Sequence, residues 1–227
     1  MDNKSYKSLR RDVARFMRRL YKRGLTTASG GNISVRLREG IFITPSGSDK
    51  GLIRGKQVGM LTFDGKNMTP HLKPSIESAM HLAIYHERKD VHAIVHAHPP
   101  IATSFTASQK EIDCTLIAEA RAVLVTPAVA TYALMGTPAL AAAVAIAAGS
   151  GQNQPLPAGL QSEVIHPNVI FLENHGIVCL GKDLLTAFDR LEVLEAAARM
   201  TLITGILGGG SPLSREQLAE IDNMKML

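Results

Sequence analysis

Apolar and polar positions change period several times along this chain, and each change marks an element. Between Lys4 and Arg23, Leu9, Val13, Phe16, Met17 and Leu20 recur at helical spacing, which predicts an amphipathic helix. "TTASGGNISVRL" then reads as a Gly-rich turn feeding a short alternating strand. "GIFITPSG" follows as its hairpin partner, and "VGMLTFDG" as a third strand ending in an Asp-Gly turn. In "PSIESAMHLAIYHER", Ile76, Met80, Leu82, Ala83 and Ile84 form a helical stripe, with Ser75 the expected N-cap. "VHAIVHA" is a strand stopped by Pro99-Pro100, and "IATSFTAS" a short helix. "AVLVTPAVA" reads as extended, and "TPALAAAVAIAAG" as an Ala-rich helix with a Thr cap and a Gly stop. "SGQNQPLPAGLQSE" is a polar loop, and "VIFLENHGIVCLG" gives two strand halves around a polar centre. A long amphipathic helix, "DLLTAFDRLEVLEAAARMTLITGIL", runs to a Gly-Gly-Gly stop. Helices and strands mix without strict alternation or repeat, so a layered α/β or α+β sheet domain over residues 1–227 is expected.

Composition narrows this picture without changing it. The 45% hydrophobic and 20% charged content over 227 residues is that of an ordinary globular protein able to bury a large core. The longest apolar run, "ALAAAVAIAA", is about half of a membrane span, so no membrane partner is expected. Two cysteines, Cys114 and Cys179, and no visible signal peptide point to the cytoplasm. The net charge of +5 is concentrated at the start, where nine Lys/Arg and one acid lie between Lys4 and Arg23. Aromatic residues make up only 4% of the chain and do not interleave these charges. The run therefore reads as a solvated face, with no nucleic-acid partner.

The chemistry gathers in "VHAIVHAHPP". Alternation puts His92, Ile94, His96 and His98 on one side of the strand, and His96 and His98 are close enough to grip one ion. The same spacing also suits ordinary half-exposed histidines. His92 lies roughly 13 Å from His96 at about 3.3 Å per residue, too far to share that ion. A third ligand is offered by His175, within the polar triplet that interrupts an otherwise apolar strand. His71, His81, His86 and His166 have charged neighbours and read as surface residues. Glu77 opens a helix, where the dipole favours a carboxylate, and it is also a candidate ligand or base. The turns "SGGN" (Ser29 to Asn32) and "TPSG" (Thr44 to Gly47) and the helix start at Ser75 are candidate anion sites.

Taken together, "ASGGNISVR", "ITPSG", "KPSIESAMHLAIY", "VHAIVHAHPP" and "ENHGIVCLGKDLLTAFDRLEVLEAAAR" resemble the class II aldolase/adducin family, on its L-fuculose-1-phosphate aldolase-like side. The resemblance runs from about Leu20 to Gly205. It implies a three-layer α/β/α fold around a mixed, mostly antiparallel sheet, and a homotetramer with sites between subunits. It implies Zn²⁺, or Mn²⁺ or Co²⁺, on His96, His98 and His175, with Glu77 as the catalytic acid/base. Ser29, Asn32, Ser46, Gly47 and Ser75 would hold the phosphate of a small sugar phosphate. The implied reaction is cleavage or formation of a ketose phosphate through an enediolate. The family also includes epimerases, dehydratases, decarboxylases and the non-catalytic adducin head. Its epimerases carry Asp where this chain has Glu77, which favours aldolase chemistry.

The chain departs from the aldolase pattern at three places. Ile76 replaces a second phosphate-binding Ser, and neither of the two family tyrosines, near Thr115 and in the C-terminal tail, is present. Glu119, in the largely apolar "TLIAEARAVLV", is either a paired structural residue or a substitute proton donor whose burial raises its pKa.

Overall fold

The structure is a computed structural model that describes residues 3–124, 127–154 and 163–224. In chain order it contains α1 (Asn3–Lys22), β1 (Asn32–Arg36), β2 (Gly40–Ile43), β3 (Gly59–Thr62), α2 (Ser78–Glu87) and β4 (Ala93–Ala97). Then come α3 (Pro100–Ser108), α4 (Ala118–Val123), β5 (Ala128–Ala130), α5 (Pro138–Gly149), β6 (Gln152–Gln154) and β7 (Glu163–Ile165). The chain closes with β8 (Val169–Leu172), β9 (Gly176–Gly181), α6 (Leu184–Ile206) and α7 (Arg215–Met224).

Seven strands form one open sheet in the order β3-β2-β1-β4-β9-β8-β5. Neighbours pair antiparallel, except that β5 runs parallel to β8. Strand alternation sorts the side chains into two cores, one on each face. Ile33, Val35, Phe42, Ala93, Val95, Val169, Phe171, Ile177 and Cys179 meet α1, α3 and α6. Ile41, Ile43, Ile94, Ile170, Leu172, Val178 and Leu180 meet α2 and α5. The architecture is therefore three layers, α/β/α. Because both faces of the central strands are covered, those strands are apolar throughout rather than alternating.

Several expectations need correction. Helix α2 begins at Ser78 with Glu77 at the N-cap position, so Ser75 does not cap it. Ser75 instead sits one turn earlier, where its hydroxyl accepts from the Glu77 N–H. "AVLVTPAVA" is extended at Leu124 and over β5; Ala122 and Val123 end α4, and residues 125–126 lie outside the described residues. "AEARAV" is rich in helix formers, and that local preference prevails over the apolar run. The ends of the polar loop pair as β6 and β7, while residues 155–162 lie outside the described residues. Thr137 caps α5 as expected, accepting from the Leu140 N–H. The basic face of α1 is not simply solvated. Arg10 donates to the Val58 carbonyl, Arg18 to the Ile53 carbonyl, and Arg19 and Arg23 pair with Glu192 of α6. Among the described residues no helix is long and apolar enough to cross a membrane.

Candidate metal centre

Strand β4 lies in the middle of the sheet, between β1 and β9, and it delivers His96 to the α2 side, in line with Ile94. His96 is fully buried, and its Nδ1 lies 3.0 Å from the Ile177 carbonyl of β9. A carbonyl can only accept, so Nδ1 carries a proton and Nε2 faces the site. His98 follows the strand directly. Its N–H donates to the Leu25 carbonyl, and Pro99-Pro100 turns the chain into α3. His175 comes from the turn between β8 and β9, where Asn174 adopts the left-handed conformation (φ 51°) that Asn tolerates well. The next residue, Gly176, leaves room for the rings. A Cβ there would lie 2.5 Å from His98 Cδ2 and 2.6 Å from the Ala97 carbonyl oxygen.

One ligand nitrogen from each of His96, His98 and His175 lies within 4.8 Å of the other two. Glu77 faces them: its Oε2 is 3.3 Å from His96 Nε2 and its Oε1 is 3.2 Å from His175 Nε2. Asn32 Nδ2 donates to Oε2 at 2.7 Å, but Oε1 is buried with no hydrogen-bond donor. Burial lowers the pKa of His98 to about 3, with charge on His96 and His175 adding to the effect and Glu77 opposing it. Burial likewise lowers His175. For Glu77, burial pushes the carboxyl up. Positive charge at His96, hydrogen bonds from His96 and Asn32, and charge at His175 outweigh that push and hold it below the usual carboxylate range. His98 and His175, kept neutral and facing a carboxylate oxygen without a donor, are a set of acceptors lacking an electrophile. A divalent cation fits that set, and it would supply the positive charge that Glu77 needs while the rings stay neutral.

The other expected residues fall around this cluster. Backbone hydrogen bonds join the three turns: Lys50 N donates to the Ala28 carbonyl and Ser46 N to the Lys73 carbonyl. Ser46 and Gly47 are thereby brought against the segment leading to Ser75 and Glu77. Gly47 has φ +64°, a conformation favouring glycine. Ser29 is exposed in its loop, and Asn32 is buried with its amide on Glu77. The buried Lys50 ammonium donates to the Pro45 carbonyl at 2.6 Å, tying this turn together from beneath. Ile76 is half exposed and touches Gly136. Glu119 is exposed on the first turn of α4, so the burial that would have made it a proton donor is absent.

His81 also requires correction. It is fully buried rather than on the surface, bonded to Asn32 and Ser34. A signal for it was present: His81 is four residues after Glu77, one helical turn along the same face. Asn32 and Ser34, two apart on a strand, share the face opposite.

The chain is similar to known proteins over most of its length. The family model described as Class II Aldolase and Adducin N-terminal domain matches residues 11–202. An L-fuculose phosphate aldolase of Methanocaldococcus jannaschii is 34% identical over 194 residues, covering 86% of this chain and 96% of its own. A 3-oxo-tetronate 4-phosphate decarboxylase of Haemophilus influenzae is 31% identical over 184 residues, covering 81% of each. A solved structure of L-fuculose 1-phosphate aldolase superposes with a TM-score of 0.80 at 26% identity, covering 100% of this chain and 99% of that one.

Proposed function

Since this chain belongs to the class II aldolase and adducin N-terminal domain family, we propose that it is a divalent-metal-dependent carbon-carbon lyase acting on a small ketose phosphate. The observation that carries this reading is the convergence of three histidines on a buried carboxylate, beside turns suited to an anion. His96, His98 and His175 would hold Zn²⁺, with Mn²⁺ or Co²⁺ as substitutes. A bound divalent ion supplies Lewis-acid chemistry, drawing off the negative charge that develops when a bond next to a carbonyl breaks.

The chain's own residues do the rest. Ser29, Ser46, Gly47 and Ser75 receive the phosphate, in turns that present backbone N–H groups and hydroxyls. Asn32 holds Glu77 by Oε2, leaving Oε1 to exchange a proton with the carbon beside the carbonyl. The two family tyrosines are absent, and Glu119 is exposed on α4. The same groups would serve a decarboxylase, which also leaves negative charge next to a carbonyl; the relative named 3-oxo-tetronate 4-phosphate decarboxylase favours keeping that second reading. As an enzyme of this kind the protein would work in the cytoplasm as a tetramer. The exposed Tyr132, Leu134 and Met135, in the segment leading to the Gly136 that lies beside Ile76, support an assembly that covers them.

The test is purified protein with Zn²⁺ on ketose 1-phosphates, ketose 5-phosphates and 3-oxo acid 4-phosphates. Release of an aldehyde is expected from a ketose phosphate, with Glu77→Gln about 10²-fold slower or worse. Release of CO₂ alone would select the decarboxylase. Equal rates for Glu77→Gln and wild type would remove Glu77 from the mechanism.

A further inference from the structure

Behind Glu77 lies a line of buried polar groups. Tyr85 OH is 2.9 Å from Ser34 Oγ, and Ser34 Oγ is 2.6 Å from His81 Nδ1. His81 Nε2 meets Asn32 Oδ1, and Asn32 Nδ2 is 2.7 Å from Glu77 Oε2. Ser34, His81 and Tyr85 are each fully buried, and Asn32 and Glu77 nearly so. Buried groups of this kind must each find a partner of the right sense.

The direction of every bond follows from the carboxylate. An ionised Glu77 can only accept, so the Asn32 amide nitrogen faces it and the amide oxygen faces His81. That oxygen can only accept, so His81 carries its proton on Nε2. Burial holds His81 neutral, its pKa lowered to about 3, with charge on His96 adding and Glu77 opposing, so the ring has one N–H and Nδ1 is bare. Ser34 must then donate to Nδ1, and its oxygen accepts from Tyr85. Burial pushes the Tyr85 phenol up against the pull of Ser34 and Arg36, so the donor at the far end keeps its proton. The chain runs one way, from Tyr85 to Glu77.

We infer that His81 is a positioning residue for Glu77: through its Nε2–H it fixes the Asn32 amide, and the amide fixes the carboxylate against the three histidines. Ser34 sets the His81 tautomer. A flipped Asn32 would turn its carbonyl oxygen toward the carboxylate and lose both bonds, so the chain excludes that orientation. The kinetic part of this inference rests on Glu77 being the acid/base, as proposed above; the tautomer does not.

Two measurements separate those parts. ¹⁵N NMR of the metal-loaded wild type should show His81 protonated on Nε2 and bare on Nδ1 at neutral pH. The opposite tautomer, or an imidazolium, overturns the inference whatever the reaction. In kinetics, His81→Leu should lower kcat about tenfold while KM and metal content stay within twofold, the size expected for one hydrogen bond to a group that must be oriented. His81→Gln places an amide N–H where Nε2 was and should recover most of that loss. Should His81→Leu fail to fold, Ser34→Ala tests the same link and should lower kcat in the same way. Unchanged kcat in a folded His81→Leu or Ser34→Ala, or equal loss in His81→Leu and His81→Gln, overturns the positioning role. If Glu77→Gln also keeps full activity, the fault lies with the acid/base assignment, and the tautomer result still stands.

Discussion

His96, His98 and His175 bring their ligand nitrogens together, while His92 is exposed before β4 begins. Metal analysis of protein prepared without chelator should therefore find about one divalent ion per chain. His96→Ala or His175→Ala should lose it and His92→Ala should keep it; retention by His175→Ala would break the assignment. His81 supplies a pH dependence. Its folded pKa of about 3 lies below the ordinary 6.5, so between those values the unfolded chain binds a proton that the folded one refuses. Its contribution to stability is complete above about pH 6.5 and declines as pH falls toward 3. The urea midpoint should fall between pH 7 and pH 5 less steeply for His81→Leu than for wild type; parallel slopes would assign the acid sensitivity elsewhere. The three clustered histidines were legible because each sits at a break: a strand end before Pro-Pro, or a polar triplet in an apolar run. For His81 the local signal was only its spacing of four from Glu77, because the Asn32 and Ser34 that bury it lie 49 and 47 positions away.

At the scale of elements, the hairpin of β8 and β9 carries the greatest constraint. Its turn must place His175, and its first β9 residue must leave space for two rings already held by β4. Gly176→Ala would put a methyl within 2.6 Å of the Ala97 carbonyl oxygen, which is backbone and cannot swing aside. The strand would shift, and His98 with it. We expect at least tenfold weaker metal binding, measured by competition with a chromogenic chelator, with far-UV circular dichroism unchanged. Normal affinity would mean that the hairpin adjusts without cost to the site. The apolar strand halves of this hairpin were readable because both faces are covered. The edge of α4 was less so: Ala and Val continue the same apolar run from helix into β5, and hydrophobicity alone does not mark where the period changes. Helix α7 packs on α4 through the Arg121–Asp222 pair and was not anticipated. None of its residues is buried, which leaves little apolar periodicity to read.

At the scale of the whole molecule, a cation that binds only the folded chain stabilises it by mass action. With free metal at a hundred times its dissociation constant the gain is about 2.7 kcal/mol. For a chain of this length that corresponds to roughly 5–10 °C in thermal midpoint. Chelation should remove it in the wild type and do nothing in His96→Ala; an equal shift in both would mean that the chelator acts elsewhere. The layered fold could be read from the chain because each layer leaves its own period, whereas the joining of the turns at Ser29, Ser46 and Ser75 could not, since it rests on backbone bonds between loops. That β4 is central has a consequence in time. The bond from His96 to the Ile177 carbonyl spans 81 positions, so as the chain leaves the ribosome His96 and His98 emerge long before their third companion. Until β9 docks, the nascent chain offers two imidazoles with neither tautomer set. An ion bound at this site would then be a late arrival, and we expect it to slow unfolding while leaving the folding rate unchanged, as stopped-flow measurements with and without Zn²⁺ would show.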